Sequence, residues 1–490
     1  MYQETSFNQP DFPDFHLPFG GKLNPENRWV ILRELIPWQE VEHQYKQKFS
    51  SLGPKALKAQ VAFGALIIKE RLNISDREAV AQISENPYLQ YFLGFREFLD
   101  QLPFDSSSFV HFRKRFNEEM IMSINENLCL NDDEENKDDD GDSRELSCSK
   151  EEPKAETTET VQQNQGKLLM DATCIPADIT YPTDMKLLND CREKTELIID
   201  KLYAESGLKT KPRTYRKTAR KNFLNFIKNK NPKQSFRRAS TRKQLCYLRR
   251  NLSHIDRLQQ KVTLSPLENQ LYKKLVVINE IYRQQKDLYD RKSTRISDRI
   301  VSLSQPHVRP IVRGKSGKKY EFGAKISISV VDGFTFLDRL SWDAYNESED
   351  LPHQVEAYKR RFGQYPESVH ADQIYRNRSN IAYCKERGIR LSGKPLGRPP
   401  KDKELLKEVQ LQTRQDEADR VAVEGKFGQA KRRFTLARIL KRLSNTAQST
   451  IALVFFIMNL EQKLSLRACY CFYQRITMLF QELQNRETAC

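Results

Sequence analysis

The 490-residue sequence predicts an α/β fold: a mixed sheet with flanking helices, preceded by a helical N-terminal domain and interrupted by a large basic helical insertion. Three observations predict it. Helical periodicity runs from residue 25 to about 122. Strand signals at 168–170 and again from 320 bracket a long helical stretch. The positive charge is concentrated inside that stretch. The length suits two to four domains at roughly 100–200 residues each. Apolar residues at 38% and charged residues at 30% suit a globular protein with solvated segments.

Residues 1–24, rich in Pro, Gly and Phe, read as a tail. Residues 25–125 read as a helical domain for DNA binding or dimerisation. Pro25 suits a first helical turn, with Trp29, Leu32, Leu35 and Ile36 as its apolar stripe, and Pro37 restarts the chain. Residues 54–72 pattern as an amphipathic helix. Ser75-Asp-Arg-Glu78 is an N-cap with an acidic first turn. Asp105 opens another helix, whose stripe is Phe109, Phe112 and Phe116 and whose opposite side is basic through Arg113, Lys114 and Arg115. A helix-turn-helix-like DNA-binding unit and a plain helical dimerisation or packing domain both fit.

Residues 126–165 read as an acidic disordered linker; 131–160 alone hold 13 acidic and 4 basic residues. Leu168-Leu-Met170 is then a short strand ending at Asp171, and 185–319 is the basic helical insertion. Residues 322–331 alternate as a strand, Asp332-Gly333 signals a hairpin, and 335–341 is the returning strand. A helix at 349–362, a strand stub at 368–370 ending at Asp372, a helix at 377–387, a stub at 389–391 and a long helix at 414–440 follow. A largely apolar helix at 445–466, within a C-terminal segment 441–490, reads as core. With the insertion set aside, 166–184 and 320–440 have the element order of a ribonuclease H-like layout.

The longest apolar run, residues 451–458, is far short of the ~20 needed to span a bilayer. The N-terminal residues have neither the basic nor the apolar region of a signal peptide. Nine scattered cysteines without a CxxC suit free thiols in a reducing cytosol. The formal charge is +17, yet residues 201–300 alone carry +20. Within them, 211–250 hold 15 basic residues and no acid. Such segregation points to a polyanion-binding element, with Arg213, Arg216, Lys217, Arg220 and Lys221 as candidate contacts, or else to a solvated helical face. Tyr215, Phe223, Phe226, Phe236 and Tyr247, interleaved with these cations, either stack on bases or form the apolar side of helices.

Three carboxylates stand out by position: Asp171 and Asp372 at strand ends, and Glu424 inside the long helix. Phosphodiester chemistry takes oxygen ligands for two Mg²⁺ ions roughly 3.5–4 Å apart, which acids on neighbouring strands and a packed helix can supply. Asp178, Asp184 and Asp332 are the nearest substitutes. Arg420, Glu424 and Lys431 share one helix face by their spacing, a carboxylate between two cations. Gly425 and Gly428 weaken that helix and leave room for close approach of a backbone or of DNA. His370 reads as strand-end packing. Gly314-Lys-Ser316 lacks the rest of a P-loop, and there is no HExxH. Gly397-Arg398-Pro-Pro-Lys401 fits a minor-groove arm contacting DNA through Arg398, or a Pro-stiffened loop.

The stretches Leu169-Met-Asp-Ala-Thr173, Tyr181-Pro-Thr-Asp184, Val308-Arg-Pro-Ile-Val-Arg-Gly314, Phe322-Gly-Ala-Lys325, His370-Ala-Asp-Gln-Ile-Tyr-Arg-Asn377 and Val423-Glu-Gly-Lys-Phe-Gly428 resemble bacterial insertion-sequence transposases of the DDE type. The branch is the one named for insertion sequence five, with an InsH-like N-terminal domain. The resemblance covers about 25–120 and 167–440. It implies a ribonuclease H-like catalytic core with Asp171, Asp372 and Glu424 as the metal triad, binding two Mg²⁺ (or Mn²⁺) ions. It also implies strand cleavage and transfer at the inverted repeats of an element, with element ends and target DNA as partners. A homo-oligomer in the active complex, no membrane, and a cytoplasmic, nucleoid-associated place in a bacterium follow. Arg420, Glu424 and Lys431 match the family's Tyr-Arg-Glu-Lys signature, whereas the tyrosine position is Glu417. The rival readings are a non-catalytic DNA-binding protein derived from a transposase and an RNA-binding structural protein; the second leaves the three acids unexplained.

Overall fold

A computed structural model describes residues 15–17, 20–50, 55–130, 164–262, 264, 267–312, 320–397 and 402–487. Most of the expected tail and acidic linker, Gly314-Lys-Ser316 and Arg398 lie outside the described residues.

Seven helices come first: α1 (Arg28–Leu35), α2 (Trp38–Lys46), α3 (Ala59–Leu72), α4 (Asp76–Glu85), α5 (Pro87–Phe92), α6 (Ser108–Arg115) and α7 (Glu118–Leu130). Pro25 does not open α1. The Asn24 side chain accepts from the Glu26 amide at 2.9 Å and closes a turn around Pro25, and Asn27 caps the helix by accepting from the Trp29 amide. Ser75 caps α4 as the spacing predicts, accepting from the Glu78 amide at 3.1 Å. The 54–72 pattern resolves differently from the amphipathic helix expected. Helix α3 starts at Ala59 and every residue from Ala59 to Glu70 is buried. Its small residues admit neighbours on all sides, and its charges are paired inside: Lys69 with Glu70 at 2.7 Å, and Lys441 with Glu70 at 3.3 Å. The basic side expected on α6 is also largely spent internally. Arg113 pairs with Asp76, and Arg115 donates to the Tyr45 hydroxyl while lying over the Phe49 ring.

The sheet has six strands: β1 (Lys167–Pro176), β2 (Arg309–Val312), β3 (Tyr320–Val331), β4 (Phe334–Ser341), β5 (Ser368–His370) and β6 (Arg390–Leu391). Its order is β2-β3-β1-β5-β6, with β4 pairing β3 beside β2. Strands β1, β3 and β4 are antiparallel neighbours; β1, β5 and β6 run parallel. This mixed sheet flanked by helices, with a helical N-terminal domain and a helical insertion, is the ribonuclease H-like arrangement. Asp332 and Gly333 both take positive φ, 49° and 83°, so the β3–β4 hairpin turns where the sequence places it.

Between β1 and β2 the insertion forms α8 (Asp184–Glu205), α9 (Arg216–Lys228), α10 (Gln234–Gln259) and α11 (Asn269–Asp290). It has its own core, where Leu188, Ile199 and Leu202 of α8 meet Leu248 and Ile255 of α10 and Ile278 and Ile281 of α11. After β4 come α12 (Asp350–Phe362), α13 (Arg378–Glu386), α14 (Lys403–Arg433) and α15 (Ser444–Glu487). Helix α14 lies about ten residues N-terminal to the expected 414–440. It stops because Phe434 turns into the core and Thr435 takes a left-handed φ of 65°. Helix α15 runs well past 466. Ile451 to Leu460 are buried with the N-terminal helices and one face of the sheet in a shared core. Beyond Leu464 the aromatics Tyr470, Phe472 and Tyr473 are exposed. No helix among the described residues is long and apolar enough to cross a membrane.

Gly323 of β3 lies so close to β1 that a Cβ there would fall 2.0 Å from the Ile175 carbonyl oxygen. We predict that Gly323→Ala costs about 1–3 kcal/mol of stability by forcing the two strands apart. A chemical-denaturation midpoint measures it. An unchanged midpoint would show that the β1–β3 pairing does not constrain this position.

Candidate active site

Strand β1 points Leu168 and Met170 into the apolar core, so Asp171 falls on the other side, half-buried, with Ile328 of β3 as its cross-strand partner. The parallel register pairs Leu169 of β1 with His370 of β5. Asp171 and Asp372 each lie two residues further on: Asp372 just past the end of β5, and Asp171 inside β1, which does not end there as expected because its pairing with β3 carries it on to Pro176. The Asp372 carboxylate accepts from the Gln373 amide at 2.7 Å and starts the turn 373–375. Arg376 holds that turn to β6 by donating to the Ser392 carbonyl at 3.0 Å.

Helix α14 is fastened across β1 and β5 on both sides of Glu424. Upstream, Asp419 takes Lys167 at 2.8 Å and Asp416 takes Arg390 at 2.9 Å. His370, fully buried and bonded to Ser368 at 3.0 Å, faces Asp416 at 3.6 Å. It therefore packs the strand against the helix. Downstream, Lys431 donates to the Thr173 hydroxyl at 2.8 Å. Between these anchors Arg420 reaches both remaining acids, Asp372 at 3.3 Å and Glu424 at 3.4 Å. Glu417, at the signature's tyrosine position, is exposed.

Asp171 forms no ion pair among the described residues; its carboxylate accepts from the Ala172 amide at 2.8 Å. Burial raises its pKa to about 6. The Ala172 amide and Arg420 oppose the rise, while Glu347 and Asp372 add to it. Among the substitutes, Asp178 pairs with Arg438 and Asp184 with Arg299.

The basic block divides. Arg216 makes a two-pronged pair with Asp200 of α8, at 2.7 and 3.1 Å, and Lys211 joins it at 2.7 Å. An acid from outside the block thus neutralises part of it, contrary to the reading of its charges as wholly uncompensated. Arg213 and Arg250 both lie against the Tyr215 ring, each at 4.6 Å. Lys217, Arg220 and Lys221 are exposed on α9 with no ion pair among the described residues. Phe226 and Phe236 stack on one another at 6.0 Å, and Tyr247 bonds Asn222, so these aromatics are used within the helices.

The family described as Transposase DDE domain matches residues 369–461, which hold Asp372, Arg420, Glu424 and Lys431. A second family, Transposase domain (DUF772), matches residues 18–115, the N-terminal helices. Two separate parts of the chain are thus matched by transposase family models. It is also similar to "Uncharacterized protein ORF8 in nfe locus" of Rhizobium meliloti, 26% identical over 165 residues, or 34% of this chain and 69% of that protein. No solved structure matches it. Strand β1 lies outside the matched part of the DDE domain, so Asp171 joins the site through the register alone.

A DDE domain implies divalent-metal chemistry, and the donors fit it in kind: hard carboxylate oxygens, one of them half-buried and without a cationic partner. Among the described residues no three His, Cys, Asp or Glu gather closely enough to hold an ion by themselves. Sequence reasoning missed Asp416 and Asp419, which fasten α14 to Arg390 and Lys167 and so set the place of Glu424.

Gly425 is flanked by open space, with nothing within 4 Å of a built Cβ. We predict that Gly425→Ala stabilises α14 by up to about 1 kcal/mol through helix propensity. The same methyl should weaken nicking of DNA by narrowing the approach beside Glu424. Melting temperature and nicking rate measured together test this; a stabilised variant that nicks normally would show that DNA does not enter there.

Proposed function

We propose that this chain is the transposase of a bacterial insertion sequence, binding the inverted repeats at the element's ends and catalysing metal-dependent strand cleavage and strand transfer. The observation that supports it best is the pair Asp171 and Asp372, each two residues beyond the last register pair of adjacent parallel strands, with Arg420 linking Asp372 to Glu424, in a chain that two transposase family models match. Asp171, Asp372 and Glu424 would hold the metal, two Mg²⁺ or Mn²⁺ ions. When bound, these supply positive charge at the attacking and leaving oxygens. In the first step a water oxygen bonds to phosphorus and the element's 3′ oxygen leaves, taking up a proton. In the second that 3′-hydroxyl attacks a target phosphate, displacing the target's 3′ oxygen.

The chain's own cations do the holding. Arg420 and Lys431 flank the acids and meet phosphates near the scissile bond. Lys217, Arg220 and Lys221 follow the DNA away from it along the insertion. Residues 25–125 capture DNA or a second copy, and the active complex is a homo-oligomer on element ends and target. The chain would act in the cytoplasm of a bacterium, on the nucleoid, where the element's DNA lies.

Asp171→Asn, Asp372→Asn and Glu424→Gln should each abolish Mg²⁺-dependent nicking of an element-end duplex. Duplex binding measured in EDTA should stay at the wild-type level, because metal ligands are lost and phosphate contacts are not. A wild-type chain that binds the duplex but never nicks it would favour the non-catalytic reading.

Neutralising Lys217, Arg220 and Lys221 to Gln should flatten the log–log salt dependence of DNA binding by about 0.9 per lost phosphate contact. Arg216→Gln should change it less, since Asp200 already takes that charge. Titrations at four or more salt concentrations decide this, and equal slopes for all variants would make the insertion a spacer.

A further inference from the structure

The loop before α9 gathers positive charge that the protein leaves uncompensated. Tyr215, the residue before the first turn of α9, takes a left-handed φ of 55°. A bulky side chain rarely adopts that conformation, and where it does its surroundings hold it there. Here they include two arginines. Arg213, from the same loop, and Arg250, from α10, each place a guanidinium 4.6 Å from the centre of the Tyr215 ring. The two cations therefore lie no further apart than twice that distance. Arg250 also stands 6.0 Å from the Tyr247 ring. His254, one turn beyond Arg250 on α10, hydrogen-bonds the Arg213 backbone and ties the loop to the helix.

Two features separate this arrangement from a structural brace. A brace would spend the guanidiniums on carboxylates, and the same loop does so beside it, where Lys211 and Arg216 both pair with Asp200. Arg213 and Arg250 have no ion pair and donate no side-chain hydrogen bond among the described residues. Stacking on a ring, moreover, uses the face of a guanidinium and leaves its N–H edges free. Like charges gathered without an acid repel one another. A phosphate relieves that repulsion and accepts from those edges. Arg213 and Tyr215 are exposed and Arg250 is half-buried, so the group is open to solvent. Lys217, Arg220 and Lys221 follow in the next two turns, also exposed. A run of cations suits a polymer of phosphates better than a single free anion.

We propose that Arg213 and Arg250 form a clamp for one phosphodiester of the DNA backbone, with Tyr215 as the positioning residue whose ring holds both guanidiniums. The inference rests on the DNA-binding reading of the insertion given above. It adds α10, through Arg250, to the surface that meets DNA, and it makes the two arginines one contact instead of two.

The test is the salt dependence of duplex binding by the full chain in EDTA, measured beside its melting temperature. Arg213→Gln and Arg250→Gln combined should lower the log–log slope by about 0.9, the loss of one phosphate contact, and leave the melting temperature unchanged. Tyr215→Leu should lower the slope equally, because the ring that holds both cations is gone. Tyr215→Phe, which keeps the ring face, should bind as the wild type does. A double variant that melts lower but keeps the wild-type slope makes the stacks a brace and overturns the proposal. A fall of twice that size gives each arginine its own phosphate and overturns the shared clamp. A wild-type slope in Tyr215→Leu overturns the role of the ring. An unchanged slope in the arginine pair, while neutralising Lys217, Arg220 and Lys221 still flattens it, removes this proposal alone. If neither set changes the slope, the DNA-binding reading of the insertion falls with it.

Discussion

The parallel pairing of β1 with β5 is the constraint on which the site depends. Parallel strands have no hairpin to set their register, so side-chain burial sets it. Leu168, Met170 and Val369 are all buried in one apolar cluster. A slip of one residue would turn Met170 outward and Asp171 inward, burying an ionised carboxylate among Val331, Phe336 and Leu351. The apolar residues that hold the sheet together therefore also align Asp171 with Asp372. Helix α14 is placed by a second set of contacts, the pairs of Asp416, Asp419 and Lys431 with the ends of β6 and β1. Those pairs bracket Glu424 without involving it.

A similar economy joins the two ends of the chain. The apolar half of α15 lies in a core that includes Phe63 of α3, Phe116 after α6 and Ile326 and Ile328 of β3. Phe63 and Phe456 pack at 5.3 Å, and the buried Asn459 amide donates to Thr335 of β4 at 2.7 Å and to Asn125 of α7 at 2.8 Å. The N-terminal helices thus share their core with the sheet that carries the acids. Movement of those helices on DNA would have to be transmitted through α15 or oppose its packing.

Much of this was legible in the sequence because it depends on period and punctuation. The strand before Asp372, the Asp332-Gly333 hairpin and the Ser75 cap are local signals, and they stand where the pattern puts them, whereas the strand expected to end at Asp171 runs on to Pro176 because β3 pairs with it that far. What was not legible depends on tertiary partners. Helix α3 read as amphipathic from its pattern, but Lys441 comes from nearly four hundred residues away to hold Glu70 inside. The basic block looked uncompensated because Asp200 lies outside the window in which its charges were counted. Asp416 and Asp419 gave no signal, since only the packing of α14 on the sheet brings them to Arg390 and Lys167.

The electrostatics of the site have one further consequence. Arg420 stands between Asp372 and Glu424 at 3.3 and 3.4 Å, longer than the roughly 2.7–2.9 Å of a tight charge-assisted bond. By contrast, Asp416–Arg390 and Asp419–Lys167, at 2.9 and 2.8 Å, lie within or near that range and fix the helix. The strong pairs are thus structural, and the loose ones lie where the chemistry would take place. Both acids beside Arg420 are more than half exposed, so water screens their attraction to it and little holds the guanidinium there. A cation taken up between Asp372 and Glu424 would offer them a closer charge, leaving Arg420 to meet an arriving phosphate. The arginine can therefore neutralise the acids before DNA and metal arrive and contact the DNA afterwards, without any movement of the helix that carries it.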